Sequence, residues 1–104
     1  MTPPARTTQL RRYEIEPGKL GEFVEWFETL IPARAHYGLS LDFAYADHEN
    51  SQFVWSTSYD GDLASFKAVE EEYHDSPERV AAYGDYKPPV TTLHVSFVEV
   101  LDLP

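Results

Sequence analysis

The 104-residue chain contains no cysteine, which excludes disulfides, thiolate zinc sites, iron–sulfur clusters and cysteine nucleophiles. Cations are scarce. Eight Lys and Arg stand against eighteen Asp and Glu, for a formal charge of -10. Nucleic-acid binding depends on cations that displace counterions from phosphates, so this chain repels polyanions, and anionic membrane surfaces with them. No apolar run reaches the ~20 residues of a transmembrane helix, and the opening MTPPARTTQ lacks the apolar stretch of a signal peptide. The expected location is the cytoplasm. There are five glycines and no G-x-S-x-G, Walker or dinucleotide fingerprint. Internal repeats and low-complexity tracts are also missing.

One short glycine pattern does occur, Gly18-Lys19-Leu20-Gly21. It matches the spacing of a KH-type backbone clamp, but that clamp joins two helices, whereas this one follows a strand. A Walker lysine is followed by Ser or Thr, and Lys19 is followed by Leu20, with Glu14, Glu16, Glu22 and Glu25 around it. Pro17-Gly18 reads as a corner where a helix begins, not as a phosphate grip.

The chain does hold apolar residues in quantity, 42% overall and 14% aromatic, enough for one core and too many for disorder. Residues 1–8 read as a flexible tail and 9–104 as a single domain. TTQLRRYEI (7–15) alternates and reads as a strand. Leu20, Phe23, Val24, Phe27, Leu30 and Ile31 then recur at helical spacing, with a kink or restart expected at Pro32 and a left-handed cap at Gly38. LSLDFAYA (39–46) and QFVWSTSY (52–59) have period two and form a hairpin across DHENS. Asp62 can cap a helix running to about His74, and Ser76-Pro77-Glu78 starts a shorter one that stops near Gly84. TLHVSFVEVL (92–101) is the last strand.

The order β-α-β-β-α-β is that of a ferredoxin-like α+β fold, with a four-stranded antiparallel sheet in the order 4-1-3-2. Parity places Tyr13, Ile15, Leu41, Phe43, Tyr45, Phe53, Trp55, Leu93, Val95 and Phe97 on one face. Arg12, Glu14, Asp42, Ala44, Val54, Ser56, His94, Ser96 and Val98 fall on the other. Apolar residues on both faces point to a homodimer that pairs through the sheet.

The run LRRYEIEPGKLGEFVEWFETLIPARAHYG, the hairpin FAYADHENSQFVWSTSYDG and the segment SPERVAAYG resemble, in order and spacing over residues 9–101, the NIPSNAP family. Two features depart from it: Glu49-Asn50 replaces a turn glycine, and the presequence of mitochondrial members is missing. The resemblance implies a dimeric α/β barrel, a superfamily that includes cofactor-independent monooxygenases of aromatic polyketides, lactone isomerases and haem enzymes. It does not name a substrate.

For chemistry, His94 with Arg12 and Asp42 is the catalytic candidate group, an imidazole for proton transfer beside a cation and a carboxylate, with Ser96 on the same face. Arg34, His36 and Tyr37, after the Pro32 kink, are candidates to orient an anionic or phenolic substrate. Tyr45 and Trp55, with Phe43 and Phe53, are candidates for an apolar wall. The four histidines, at 36, 48, 74 and 94, show no metal-ligand spacing. No metal site and no tightly bound cofactor is expected, although a lone histidine could ligate haem as in some related barrels. Two function classes stay open: a small enzyme of monooxygenase, isomerase or cyclase type acting on a hydrophobic or aromatic molecule, and a non-catalytic small-molecule-binding or protein-interaction module.

Overall fold

The computed structural model describes residues 5–101 and 103; positions 1–4 of the expected tail lie outside them. The elements run β1 (Thr7–Ile15), α1 (Leu20–Glu28), α2 (Leu30–His36), β2 (Ser40–Asp47), β3 (Gln52–Tyr59), α3 (Leu63–His74), α4 (Pro77–Tyr83) and β4 (Val90–Val98). All strand pairs are antiparallel and the sheet order is β2-β3-β1-β4, the ferredoxin-like order expected from the sequence. The last strand begins two residues earlier and ends three earlier than its apolar pattern predicts.

Local chemistry accounts for the helix boundaries. The first helical run breaks at Thr29, whose backbone N–H and Oγ1 both donate to the Trp26 carbonyl, at 2.9 and 2.6 Å. Pro32 then falls in the first turn of α2, where a missing N–H leaves no helical bond unmade. Gly38, at φ 80, closes α2 in a Schellman arrangement: Gly38 N–H donates to the Ala35 carbonyl and Leu39 N–H to the Arg34 carbonyl. The Asp62 carboxylate accepts from Ser65 N–H at 2.8 Å at the start of α3. The Ser76 hydroxyl accepts from Arg79 N–H at 3.1 Å at the start of α4.

The helices lie on the face built by odd positions of β1, β3 and β4, and leave Leu93, Val95 and Phe97 of β4 44 to 53% exposed. Phe23 and Phe27 of α1 meet Phe53 and Trp55 of β3 at ring separations of 4.6 to 5.1 Å, mostly edge-on or tilted. Each of these buried rings contributes about 1.5–3 kcal/mol of transfer free energy. A second cluster joins Ala33 and Leu39 to Phe66, Val69 and Tyr73 of α3.

One sequence expectation is overturned in β2. Leu41 pairs with Thr57, but Phe43 pairs with Ser56, so Asp42 is an extra residue, a β-bulge. Beyond it the parity of the strand inverts. Ala44 and Ala46 take the helix side opposite Trp55 and Phe53, while Phe43 and Tyr45 turn to the outer face opposite Ser56 and Val54. Their rings lie 5.0 Å apart there, and Tyr45 is 64% exposed. The bulge is stabilised by Asp42 itself, whose carboxylate accepts from the Ser56 hydroxyl at 3.3 Å and from the Ser58 hydroxyl.

Candidate functional site

A cavity of about 410 Å³ opens between the sheet and the helices, within the usual range for small-molecule sites. Its floor is Trp55 of β3 with Arg11 and Tyr13 of β1. Phe23, Trp26 and Phe27 of α1 form one wall, Arg34 comes from α2, and Glu70, Tyr73 and His74 come from α3. Arg79 and Tyr83 of α4 close one end, and Val90 and Leu93 of β4 lie at the other side.

The polar part of this cavity is a charge chain. Arg11 Nη2 donates to Glu70 Oε1 at 2.5 Å, and Arg34 Nη2 lies 3.4 Å from Glu70 Oε2 and 3.2 Å from Thr57 Oγ1. Arg11 also donates through Nε to Gln9 Oε1 at 2.7 Å and through Nη1 to the Tyr13 hydroxyl at 3.1 Å. Burial alone would lower the Arg11 pKa; the Tyr13 and Glu70 oxygens overcome it, and the net direction is upward. The Arg11 and Arg34 guanidiniums lie 5.2 and 4.9 Å from the Trp55 ring centroid, and Arg34 lies 4.9 Å from that of Tyr73.

Two buried donors in the lining have no partner. Trp55 Nε1 and Tyr73 Oη, on residues only 2% and 4% exposed, make no hydrogen bond among the described residues. An unpaired buried polar group costs about 1–3 kcal/mol, a cost that a water or another bound molecule would offset. The other tryptophan differs: Trp26 Nε1 donates to the Ala82 carbonyl at 3.1 Å. Burial pushes the Tyr73 phenol above its ordinary value of 10, with Arg34 offsetting part of the shift, so it is held protonated as a donor.

The residues singled out from sequence are distributed over three places. Arg34 and Trp55 line the cavity. His36 and Tyr37 sit outside it at the end of α2, both on Glu78: the Tyr37 hydroxyl donates to Oε2 at 2.9 Å and His36 Nε2 lies 3.7 Å from Oε1. The remaining five, Arg12, Asp42, Tyr45, His94 and Ser96, occupy the outer face. His94 pairs with Arg12 across β1 and β4, lies 4.0 Å from Glu14 Oε2 and is 59% exposed. Asp42 is on β2, at the opposite edge of the sheet. Three strand spacings, roughly 14 Å, separate it from β4, and its partners are Ser56, Ser58 and Arg6. The structure therefore unites Arg12 with His94 and leaves Asp42 apart.

Arg11, Glu70, Tyr73, His74 and Arg79 were not singled out by the sequence. Arg11 alternates with Tyr13 and Ile15 on the helix-facing side, a cation among apolar positions, and that was the available signal. The acidic run Glu70-Glu71-Glu72 reads from the sequence as a solvated helix face, but Glu70 is partly buried and pairs with Arg11 and Arg34. Among the described residues no group of three or more His, Asp or Glu side chains is arranged to hold a metal ion. No helix among them is long and apolar enough to cross a membrane. A second, more open depression beside Gly18 and Gly21 is lined by His48, Glu49 and Asn50 and by no Lys or Arg.

Solved structures supply the comparison. An uncharacterized NIPSNAP domain protein from Burkholderia xenovorans superposes with a TM-score of 0.78 at 19% identity, over 91% of this chain and 94% of that one. A NIPSNAP family protein from Agrobacterium tumefaciens gives 0.79 at 16%, over 94% and 95%. The fold is that of the NIPSNAP proteins. It extends to a protein from Bacteriodes thetaiotaomicron assigned to the antibiotic biosynthesis monooxygenases, with a TM-score of 0.71 at 18% identity over 93% and 90%. No family model matches the chain, and no curated protein matches it in sequence. The NIPSNAP likeness read from the strand, helix and hairpin segments thus has its structural counterpart over nearly the whole chain.

Proposed function

We propose that this chain is a NIPSNAP-type homodimer that binds a hydrophobic or aromatic small molecule in the helix-side cavity. There it acts on the molecule without a tightly bound cofactor. The observation that carries the reading is the pair of buried donors without a partner among the described residues, Trp55 Nε1 and Tyr73 Oη, on residues that line an aromatic cavity. The neutral Tyr73 phenol and the Arg34 guanidinium would stabilise negative charge developing on a carbonyl oxygen of the bound molecule. Glu70 is held by two guanidiniums, which leaves His74 as the lining group available to accept a proton. This is the chemistry of isomerase- and cyclase-type reactions. The likeness to a structure assigned to the antibiotic biosynthesis monooxygenases agrees with a small hydrophobic substrate.

Dimerisation would use the outer face. Phe43, Tyr45 and Val98 are exposed on the same face as Arg12 and His94, and a second copy would enclose them. In that arrangement His94 and Arg12 would line the closed space between the sheets.

The test is to incubate purified protein with a panel of cyclic ketones and phenols and follow exchange of their acidic C–H protons by NMR. Exchange above background that is lost in His74→Gln and Tyr73→Phe supports the enzyme reading. Binding without exchange supports the second reading, a ligand carrier, which the engagement of Glu70 by both arginines favours.

A further inference from the structure

The cavity inverts the charge of the protein around it. The chain carries eight Lys and Arg against eighteen Asp and Glu, yet the cavity lining holds three arginines, Arg11, Arg34 and Arg79, and a single carboxylate, Glu70. Glu70 is shared between Arg11 and Arg34, so the site keeps a surplus of positive charge. Two lining residues carry a buried polar atom without a hydrogen-bond partner among the described residues, Trp55 Nε1 and Tyr73 Oη, and both are N–H or O–H donors.

We infer that the ligand of this cavity is an anion: a flat, largely apolar molecule bearing one carboxylate. The carboxylate sits near the Arg34 guanidinium and accepts hydrogen bonds from Trp55 Nε1 and Tyr73 Oη. Three features support this independently of one another. The excess of arginine supplies the counter-charge, and charge-assisted bonds of this kind are about twice as strong as neutral ones. The two donors match the several lone pairs of a carboxylate, where a hydrocarbon or an amine would leave them unmade. The walls given by Phe23, Phe27, Trp55 and Leu93 accept a planar ring system of the size 410 Å³ allows. The inference rests on the cavity being the ligand site.

The test uses 1-naphthoate and its neutral isostere 1-naphthamide, titrated calorimetrically into the intact protein. The expected result is that the acid binds at least about ten-fold more tightly than the amide, a difference of roughly 1.4 kcal/mol. In ¹H–¹⁵N spectra two tryptophan indole signals are available. The acid should shift that of Trp55 more than the amide does, while that of Trp26, a wall residue already bonded to Ala82, should respond alike to both. Tyr73→Phe removes a hydroxyl that has no hydrogen-bond partner among the described residues, so it should nearly keep the melting temperature and weaken the acid several-fold, and the neutral amide less. Arg34→Gln should abolish the preference for the acid, and a loss of fold in that variant leaves Tyr73→Phe to decide. Equal binding of acid and amide overturns the inference of an anionic ligand but leaves the cavity as a ligand site. Binding of neither at millimolar concentration overturns the ligand site itself.

Discussion

The guanidinium of Arg34 lies 4.9 Å from the ring centroid of Trp55, beneath helix α2 and above strand β3. Arg34 is almost fully buried, and its charge is met by one partly buried carboxylate, that of Glu70. The interior of this small domain is thus organised around a charge that apolar packing alone would exclude.

Glu70→Gln leaves two guanidiniums facing each other across the cavity without their shared partner. Removing one member of a buried pair leaves the other charge uncompensated. Because Glu70 keeps 24% side-chain exposure, the expected loss is about 1–3 kcal/mol, below the cost at a fully enclosed site. Urea denaturation at neutral pH measures it, and an unchanged midpoint would remove the pair from the account of stability.

Gly38→Ala places a side chain at φ 80, and the added Cβ would meet Tyr59 Cε1 at 3.2 Å. The backbone conformation alone costs a non-glycine residue about 1–2 kcal/mol. The same substitution at Gly21, where nothing lies within 4 Å, should be neutral or stabilising, since it falls in helix α1. Thermal melts of the two variants side by side check both directions.

Ser76→Ala removes the cap of α4 and leaves the Arg79 N–H without its hydroxyl partner, at a cost of about 1 kcal/mol. Ser76→Asp should retain the cap. A melting curve in which Ala and Asp variants behave alike would contradict the capping role.

The stability of the fold should decline at both pH extremes. Hydrogen bonds from Ser65 lower the Asp62 pKa below 3.8, and those from Asn50 do the same for Asp47. The Glu78 pKa falls below 4.5 through the backbone N–H at its helix start and the Tyr37 hydroxyl. A carboxylate whose pKa is lower in the folded state stabilises above its unfolded pKa, so this contribution is full above pH 4.5 and is lost as pH falls through the lowered values. At the alkaline end, burial raises the Tyr73 pKa above 10. Folding there favours the neutral phenol, so its contribution holds below pH 10 and fades as pH rises through the raised value. Denaturant midpoints measured from pH 2 to 11 should show a plateau bounded by these two declines, and Asp62→Asn should flatten the acid limb.

Phe43→Asp with Tyr45→Ser should leave the fold intact and turn a dimer into a monomer, because both side chains lie on the outer face and outside the core clusters. Light scattering after gel filtration reads the mass, and circular dichroism checks the fold. A wild-type monomer at micromolar concentration would sink the dimer proposal before any variant is made.

Much of the fold was legible because it is written locally. The strand alternation of 7–15 and 52–59 and the Asp62 and Ser76 caps each depend on neighbours within a few positions; the helix break expected at Pro32 falls at Thr29 instead. Sheet order followed from the sequence of elements. The cavity was less legible: Arg11 and Glu70 are 59 positions apart and meet only once α3 lies over β1. Trp55 and Arg34 could be named as candidates on residue type, but nothing local said that they would stack. Parity failed in β2 because a bulge changes the count by one without changing the composition.

That extra residue has a consequence for comparing relatives. A relative with the same β2 residues but a regular register in place of the bulge at Asp42 would turn both rings inward and show alanines outside. An ungapped alignment of this hairpin arm would then pair proteins with opposite outer surfaces. The bulge, more than the residue content of β2, decides which side of the sheet is offered to a partner.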